Sequence, residues 1–233
     1  MLYNYRFENG HCVVEIEGED WLLDTGSPST FCFDRSISRI LIDGIYYTLN
    51  SNPGYNQNVV EEVVGIRLKG IIGSDLLFKT SFTLNSNGTM EFNVNNVECE
   101  NSINISINPS MKNVIVGEAL IYNKTINVLF ETGAHISYLM PGLLNINPIG
   151  TVTDKDAEGR IINSELFLTI SSIGANEMKL SLAVPNDITS YPIRAMKQFH
   201  FNAIIGLYDH EFDRPIFNKC YAIDYNNKKL YIE

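Results

Sequence analysis

Two short segments of this chain carry the same pattern. Trp21-Leu22-Leu23-Asp24-Thr25-Gly26-Ser27 and Val128-Leu129-Phe130-Glu131-Thr132-Gly133-Ala134 each run three apolar residues, an acid, Thr, Gly and a small residue, with the acids 107 positions apart. Self-similarity at a fixed spacing marks a duplicated folding unit, so whatever surrounds one acid has a counterpart around the other. Downstream of each copy lies an Ile-Ile-Gly, Ile71-Ile72-Gly73 and Ile204-Ile205-Gly206, ending 49 and 75 residues after the acid. Each half then closes on strand, turn and strand. These are Phe82 to Leu84 and Met90 to Phe92 around Asn87-Gly88, and Tyr221 to Ile223 and Leu230 to Ile232 around Asn226-Asn227. Asn-Gly between alternating apolar residues is a strong hairpin signal.

The strand that delivers each acid reads as the second arm of a hairpin. Cys12, Val14 and Ile16 alternate, the chain turns at Gly18-Glu19-Asp20, and Trp21 to Leu23 returns. In the second half Val114 to Ile121 turns at Asn123-Lys124 and returns through Ile126 to Phe130. Both acids are therefore expected at the end of a buried strand. Helix is scarce: Ser74 to Phe78, with Ser74 as cap, and Ile193 to Gln198. The fold class that follows is mostly β, in two similar units, residues 1–108 and 109–233, joined through the polar stretch from Asn93 to Lys112.

Composition narrows the functions. Asp plus Glu number 27 against 17 Lys plus Arg, a net charge of -10, which repels phosphate backbones and anionic lipid and speaks against a nucleic-acid or membrane partner. No apolar run reaches the roughly 18 residues of a membrane span, and the first residues lack a signal-peptide pattern. A cytoplasmic chain is expected. The cysteines Cys12, Cys32, Cys99 and Cys220 show no metal-ligand spacing, so no metal or cofactor is expected, and reduced, mostly buried thiols are the default.

Two carboxyls brought together from equivalent positions cannot both ionise easily, and the pair shares one proton. Such a pair can hold a water. The ionised member draws off its proton as it attacks an amide carbonyl, and the protonated member hydrogen-bonds the oxygen that gains charge. The catalytic candidates are thus Asp24 and Glu131. Gly26 and Gly133 permit tight turns and close approach at the junction. Thr25 and Thr132 offer hydroxyls to buried backbone groups across it. Ser27 is expected to hydrogen-bond Asp24 and favour its charged form, whereas Ala134 leaves Glu131 without that support. An asymmetric pair follows, with Asp24 the more readily ionised and Glu131 the usual proton carrier.

Leu22 to Thr30 resembles the active-site signature of pepsin-like aspartic peptidases, and Ile71 to Leu77 resembles the apolar-apolar-Gly segment of retropepsins. The likeness runs through both halves, with units of retropepsin rather than pepsin size. It implies a bilobal acid-protease fold of two β-barrel-like lobes around a cleft, one catalytic acid from each lobe, and a monomer, since both halves are already present. An extended peptide or protein substrate is also implied, with a flap over the cleft. The flap candidates are Tyr46 to Tyr55, with Gly54 and Tyr55 as substrate-binding residues, and a hairpin from Val152 to Leu168 turning near Ala157-Glu158-Gly159, with Glu158 and Gly159 in that role. The second acid departs from the family pattern, being Glu131 where Asp is usual. Its extra methylene shifts the carboxyl by about an ångström, a displacement that can cost on the order of a hundredfold in rate.

Two functions therefore stand side by side: an aspartic endopeptidase, and a peptidase-like protein, a pseudoenzyme, that binds extended peptides but cuts them poorly. His135 is read as structural, and His200 and His210 lack metal-ligand spacing.

Overall fold

In this computed structural model, which describes residues 1–93, 97, 99–108, 110–111, 113–156 and 159–233, the chain is mostly β with three short helices. The duplication seen in sequence is repeated in strand pairing. His11–Ile16 and Glu19–Asp24 form an antiparallel hairpin, turning at Glu17 and Gly18, both of positive φ. Glu19–Asp24 then runs parallel to Gly70–Gly73, with Asp24 opposite Gly73, and Phe31–Cys32 flanks Gly70–Gly73 on its other edge. In the second half Ile115–Ile121 and Lys124–Glu131 form the hairpin, turning at Tyr122 and Asn123, again with positive φ. Lys124–Glu131 runs parallel to Ala203–Gly206, with Glu131 opposite Gly206, and Tyr138–Leu139 flanks the latter.

The two Ile-Ile-Gly segments owe their glycines to this arrangement. After each acid the chain folds back across the neighbouring strand so closely that a Cβ on Gly73 would stand 2.5 Å from the Ser29 carbonyl oxygen. One on Gly206 would stand 2.3 Å from that of Ala134. Real Cβ contacts of that kind do not occur, so only glycine lets the turn pass. The Ile pairs fill the space beneath, with Ile72 and Ile205 essentially inaccessible.

A six-stranded antiparallel sheet ties the halves together, in the order Leu2–Glu8, Thr89–Phe92, Phe82–Asn85, Cys220–Asp224, Lys229–Ile232 and Ser102–Ile107. Its seam pairs Leu84 with Tyr221 and Phe82 with Ile223, so the two closing hairpins meet edge to edge. Tyr221, Phe82 and Leu84 are fully buried there, in the largest hydrophobic cluster. Pairing across the halves removes two strand edges that would otherwise be open to association.

Several expectations shift in detail. The stretch from Asn93 to Lys112 contains the strand Ser102–Ile107, which joins both the shared sheet and the second-half hairpin. Pro109, at the expected boundary, lies outside the described residues. The helix after Gly73 covers Ser74–Thr80, but Gly73 is its N-cap and the buried Ser74 hydroxyl has no partner among the described residues. A helix at Gln57–Val64 had no counterpart in the sequence reading. It is capped by the Asn56 side chain and stopped by Gly65 in the left-handed region. Cys99 is paired with Cys220 as a disulfide, leaving Cys12 and Cys32 as free, buried thiols. The partners are 121 residues apart, and only the shared sheet brings them together. Among the described residues no helix is long and apolar enough to cross a membrane.

Candidate active site

The turns that follow the two acid strands meet at the junction of the halves. Thr25 donates its hydroxyl to the Phe130 carbonyl at 2.7 Å, and Thr132 donates its own to the Leu23 carbonyl at 2.7 Å. Each Thr amide in turn donates to the other's hydroxyl oxygen, both at 3.0 Å. Four hydrogen bonds thus lock the two acid-bearing strands in a reciprocal grip, and both threonines are wholly buried. In water-free surroundings each of those main-chain groups would cost about 1–3 kcal/mol if left unpaired.

That grip sets the carboxyls against each other's turns. A Cβ on Gly26 would lie 2.6 Å from the Glu131 carboxyl carbon, and a Cβ on Gly133 would lie 2.6 Å from the Asp24 carboxyl carbon. The mirror relation extends one atom inward. Glu131 Cγ would stand 2.9 Å from the same Gly26 Cβ, as Asp24 Cβ would stand 3.0 Å from that of Gly133. The longer side chain of Glu131 therefore puts its carboxyl group into the same relation with the opposing glycine that Asp24 has, and the extra methylene is absorbed on its own side.

The two acids differ in what holds them. Asp24 Oδ1 accepts hydrogen bonds from the amides of Gly26 and Ser27, both at 2.9 Å. Ser27 supports Asp24 through its main chain, while its hydroxyl turns away to the Ser29 carbonyl at 3.0 Å, contrary to the sequence expectation. Among the described residues no hydrogen bond reaches the Glu131 carboxyl. Burial pushes both acids above the ordinary carboxylate range; the two amides restrain the rise of Asp24, and the nearby Asp24 charge adds to that of Glu131. Glu131 is the member that holds the proton more tightly. Ala134 follows Gly133 with only a main-chain bond, its amide donating to the Glu131 carbonyl at 3.3 Å.

Both acids line a cavity of about 150 Å³. A single ordered water needs only about 10–15 Å³, so the cavity has room for several. Leu22, Val60, Val64 and Ile71 form an apolar wall on the Asp24 side; Ile162, Pro192 and Ile204 form one on the Glu131 side.

Of the expected substrate-binding residues, Tyr55 belongs to this cavity: it stacks on Phe31 with ring centroids 5.4 Å apart, and burial together with the Asp24 charge raises its phenol pKa. Gly54 does not, being exposed with nothing within 4 Å of a Cβ. The hairpin expected at residues 46–55 lies earlier, at Arg39–Ile42 and Ile45–Thr48, and the helix Gln57–Val64 borders the cavity instead. Glu158 lies outside the described residues. Gly159 sits at the end of the second-half hairpin, Gly150–Lys155 against Ile161–Ile173, where a Cβ would stand 3.7 Å from the Val59 side chain. Lys155 of the same hairpin pairs with Glu62 at 2.8 Å, so this hairpin reaches from the second half over to the first-half helix.

The sequence reading missed a cluster beside Glu131. His11 and His135 pack with ring centroids 4.6 Å apart, His210 follows at 6.2 Å, and His135 Nε2 lies 3.4 Å from Asp154 Oδ1. Tyr138 hydrogen-bonds the other Asp154 oxygen. Burial lowers His11 and His135 to about 4, and burial raises Asp154. The only advance signal was His135 itself, one residue past the repeated motif.

No protein-family model matches the chain, and no curated protein matches its sequence. Among solved structures the chain is similar to a retropepsin-like aspartic protease from Rickettsia conorii, at 16% identity over 56% of this chain and 89% of that one, with a TM-score of 0.34.

Proposed function

We propose that the protein is an aspartic-type endopeptidase in which Asp24 and Glu131 hold the attacking water between them. The observation that carries this reading is the reciprocal seating of each carboxyl against the other half's glycine. Asp24, steadied by two amides, serves as the base that takes the water's proton. Glu131, the tighter proton holder, donates a hydrogen bond to the peptide carbonyl as its oxygen gains charge, and a proton then passes to the departing amine. The substrate is a peptide in extended form, lying between the two apolar walls and beneath the hairpin of residues 150–173, with the units 1–108 and 109–233 each supplying one acid. No cofactor takes part in these steps.

A second reading has its own observation: the Glu131 carboxyl receives no hydrogen bond among the described residues, so its orientation rests on packing. A cleft that holds peptides while cutting them slowly follows from that. Cleavage of denatured protein between pH 3 and 7, by wild type, Asp24→Asn and Glu131→Asp, separates the two. The endopeptidase reading expects wild-type cleavage that Asp24→Asn lowers by about a hundredfold or more. An inactive wild type whose Glu131→Asp variant cuts would establish the binding reading instead.

A further inference from the structure

We propose that His11 is a positioning residue for the acid pair, holding from the first half the main-chain turn that carries Glu131; this rests on the peptidase reading only for its kinetic consequence. His11 opens the strand His11–Ile16 directly after the tight Asn9-Gly10 turn, and it is 6% exposed. Its Nδ1 stands 2.7 Å from the Gly133 carbonyl oxygen, a contact between residues 122 apart in sequence. A carbonyl only accepts, so the ring carries a proton on Nδ1 and donates it. The segment it holds is the one whose glycine seats the Asp24 carboxyl.

The tie runs in one direction. Strand pairing sets Val13 opposite Leu22 and Val116 opposite Leu129, so the place of His11 is taken in the second half by Val114, which has no side-chain donor. The asymmetry matches that of the turns. The Asp24 turn is fastened from within by the Gly26 and Ser27 amides, whereas the Glu131 turn has no equivalent bonds to its carboxyl among the described residues. His11 supplies from outside the restraint that this turn lacks. Its other nitrogen, Nε2, is buried without a partner among the described residues. An imidazole committed at Nδ1 to the Gly133 carbonyl accounts for a ring held in this place.

The charged and titratable groups around His11 are His135 packed on its ring, His210 behind His135, Asp154 with its Tyr138 partner beside His135, and the Asp24–Glu131 pair across Gly133. Burial, then His135, lower the His11 pKa to about 4, so above that pH the ring is neutral and its single proton can serve the Gly133 carbonyl.

The test compares His11→Asn, whose amide nitrogen takes the place of Nδ1, with His11→Leu, which removes the donor. Steady-state kinetics across pH and carbon-13 NMR titration of the Asp24 and Glu131 carboxyls are read on both. His11→Leu is expected to lower kcat by about ten- to a hundredfold with KM nearly unchanged, and to move the Glu131 titration. His11→Asn is expected to restore both. Unchanged kcat and carboxyl titrations in His11→Leu, or equal losses in the two variants, would overturn the proposal. If neither variant folds, nitrogen-15 NMR of the wild-type ring decides: a neutral ring protonated at Nε2 instead of Nδ1 refutes the tie. If the wild type cuts nothing, the peptidase reading fails, yet the carboxyl titrations still show whether His11 sets the geometry of the pair.

Discussion

Thr25 and Thr132 each give a hydroxyl to a main-chain carbonyl of the opposite half and take the other's amide, in a ring of four hydrogen bonds of 2.7 to 3.0 Å. Replacing Thr132 with Val keeps the shape but strands the Leu23 carbonyl and the Thr25 amide in a dry junction. A loss of about 2–4 kcal/mol is expected, readable as a lower midpoint in urea denaturation, with Thr132→Ser losing far less. Because the ring is shared, Thr25→Val should cost a similar amount, and the double variant less than the sum of the two.

Each glycine of the two turns is the floor on which the opposing carboxyl rests. Gly26→Ala would force the Glu131 carboxyl aside, and Gly133→Ala that of Asp24, each from a contact of 2.6 Å. Both variants should lose at least about a hundredfold in kcat, since a displacement near 1 Å costs that much. Circular dichroism should show the strand content kept.

The acid pair makes stability depend on pH with a definite sign. Both carboxyls titrate above their unfolded values, so the native state binds protons more tightly than the unfolded chain. Their contribution is intact below about pH 4 and is lost as pH rises through the native values. Asp24→Asn removes a buried charge and relieves Glu131. At pH 7 it should melt above wild type, by about 2–4 °C for each kcal/mol gained, and at pH 3 the two should coincide. His11 and His135 act oppositely: their lowered pKa values cost stability as pH falls from about 6.5 toward 4, equally in both proteins.

The hairpin over the cavity is fastened by Lys155 to Glu62 at 2.8 Å, a pair open to solvent. Such pairs contribute about 0–1 kcal/mol, so Lys155→Ala should leave the melting temperature almost unmoved. On the peptidase reading, KM for a peptide should rise, most clearly at low salt, where the ion pair is least screened.

How much of this was legible beforehand varies by element. The repeated acid motif, both Ile-Ile-Gly strands and the two closing hairpins were all visible, because apolar alternation and turn residues are local signals. The disulfide between Cys99 and Cys220 was not, since spacing in sequence carries no trace of a partner 121 residues away. The helix Gln57–Val64 escaped because it is a short, polar-rich segment between loops, recognisable only once Val60 and Val64 are seen to turn inward. The second-half hairpin was anticipated and the first-half one misplaced, because Asn50 to Gly54 offered turn residues of their own, while the turn that forms is at Asp43 and Gly44.

The residues alone determined that two equivalent acids sit at the ends of buried strands, each followed by a glycine, because strand periodicity and the demands of a tight turn act over a few neighbours. Only the tertiary structure decided that Glu131 reaches the mirror position of Asp24, that Ser27 serves through its amide, and that His11 grips Gly133 from the opposite half. Those relations depend on how the two halves dock, and docking is set by packing between residues far apart in sequence, which no local stretch encodes.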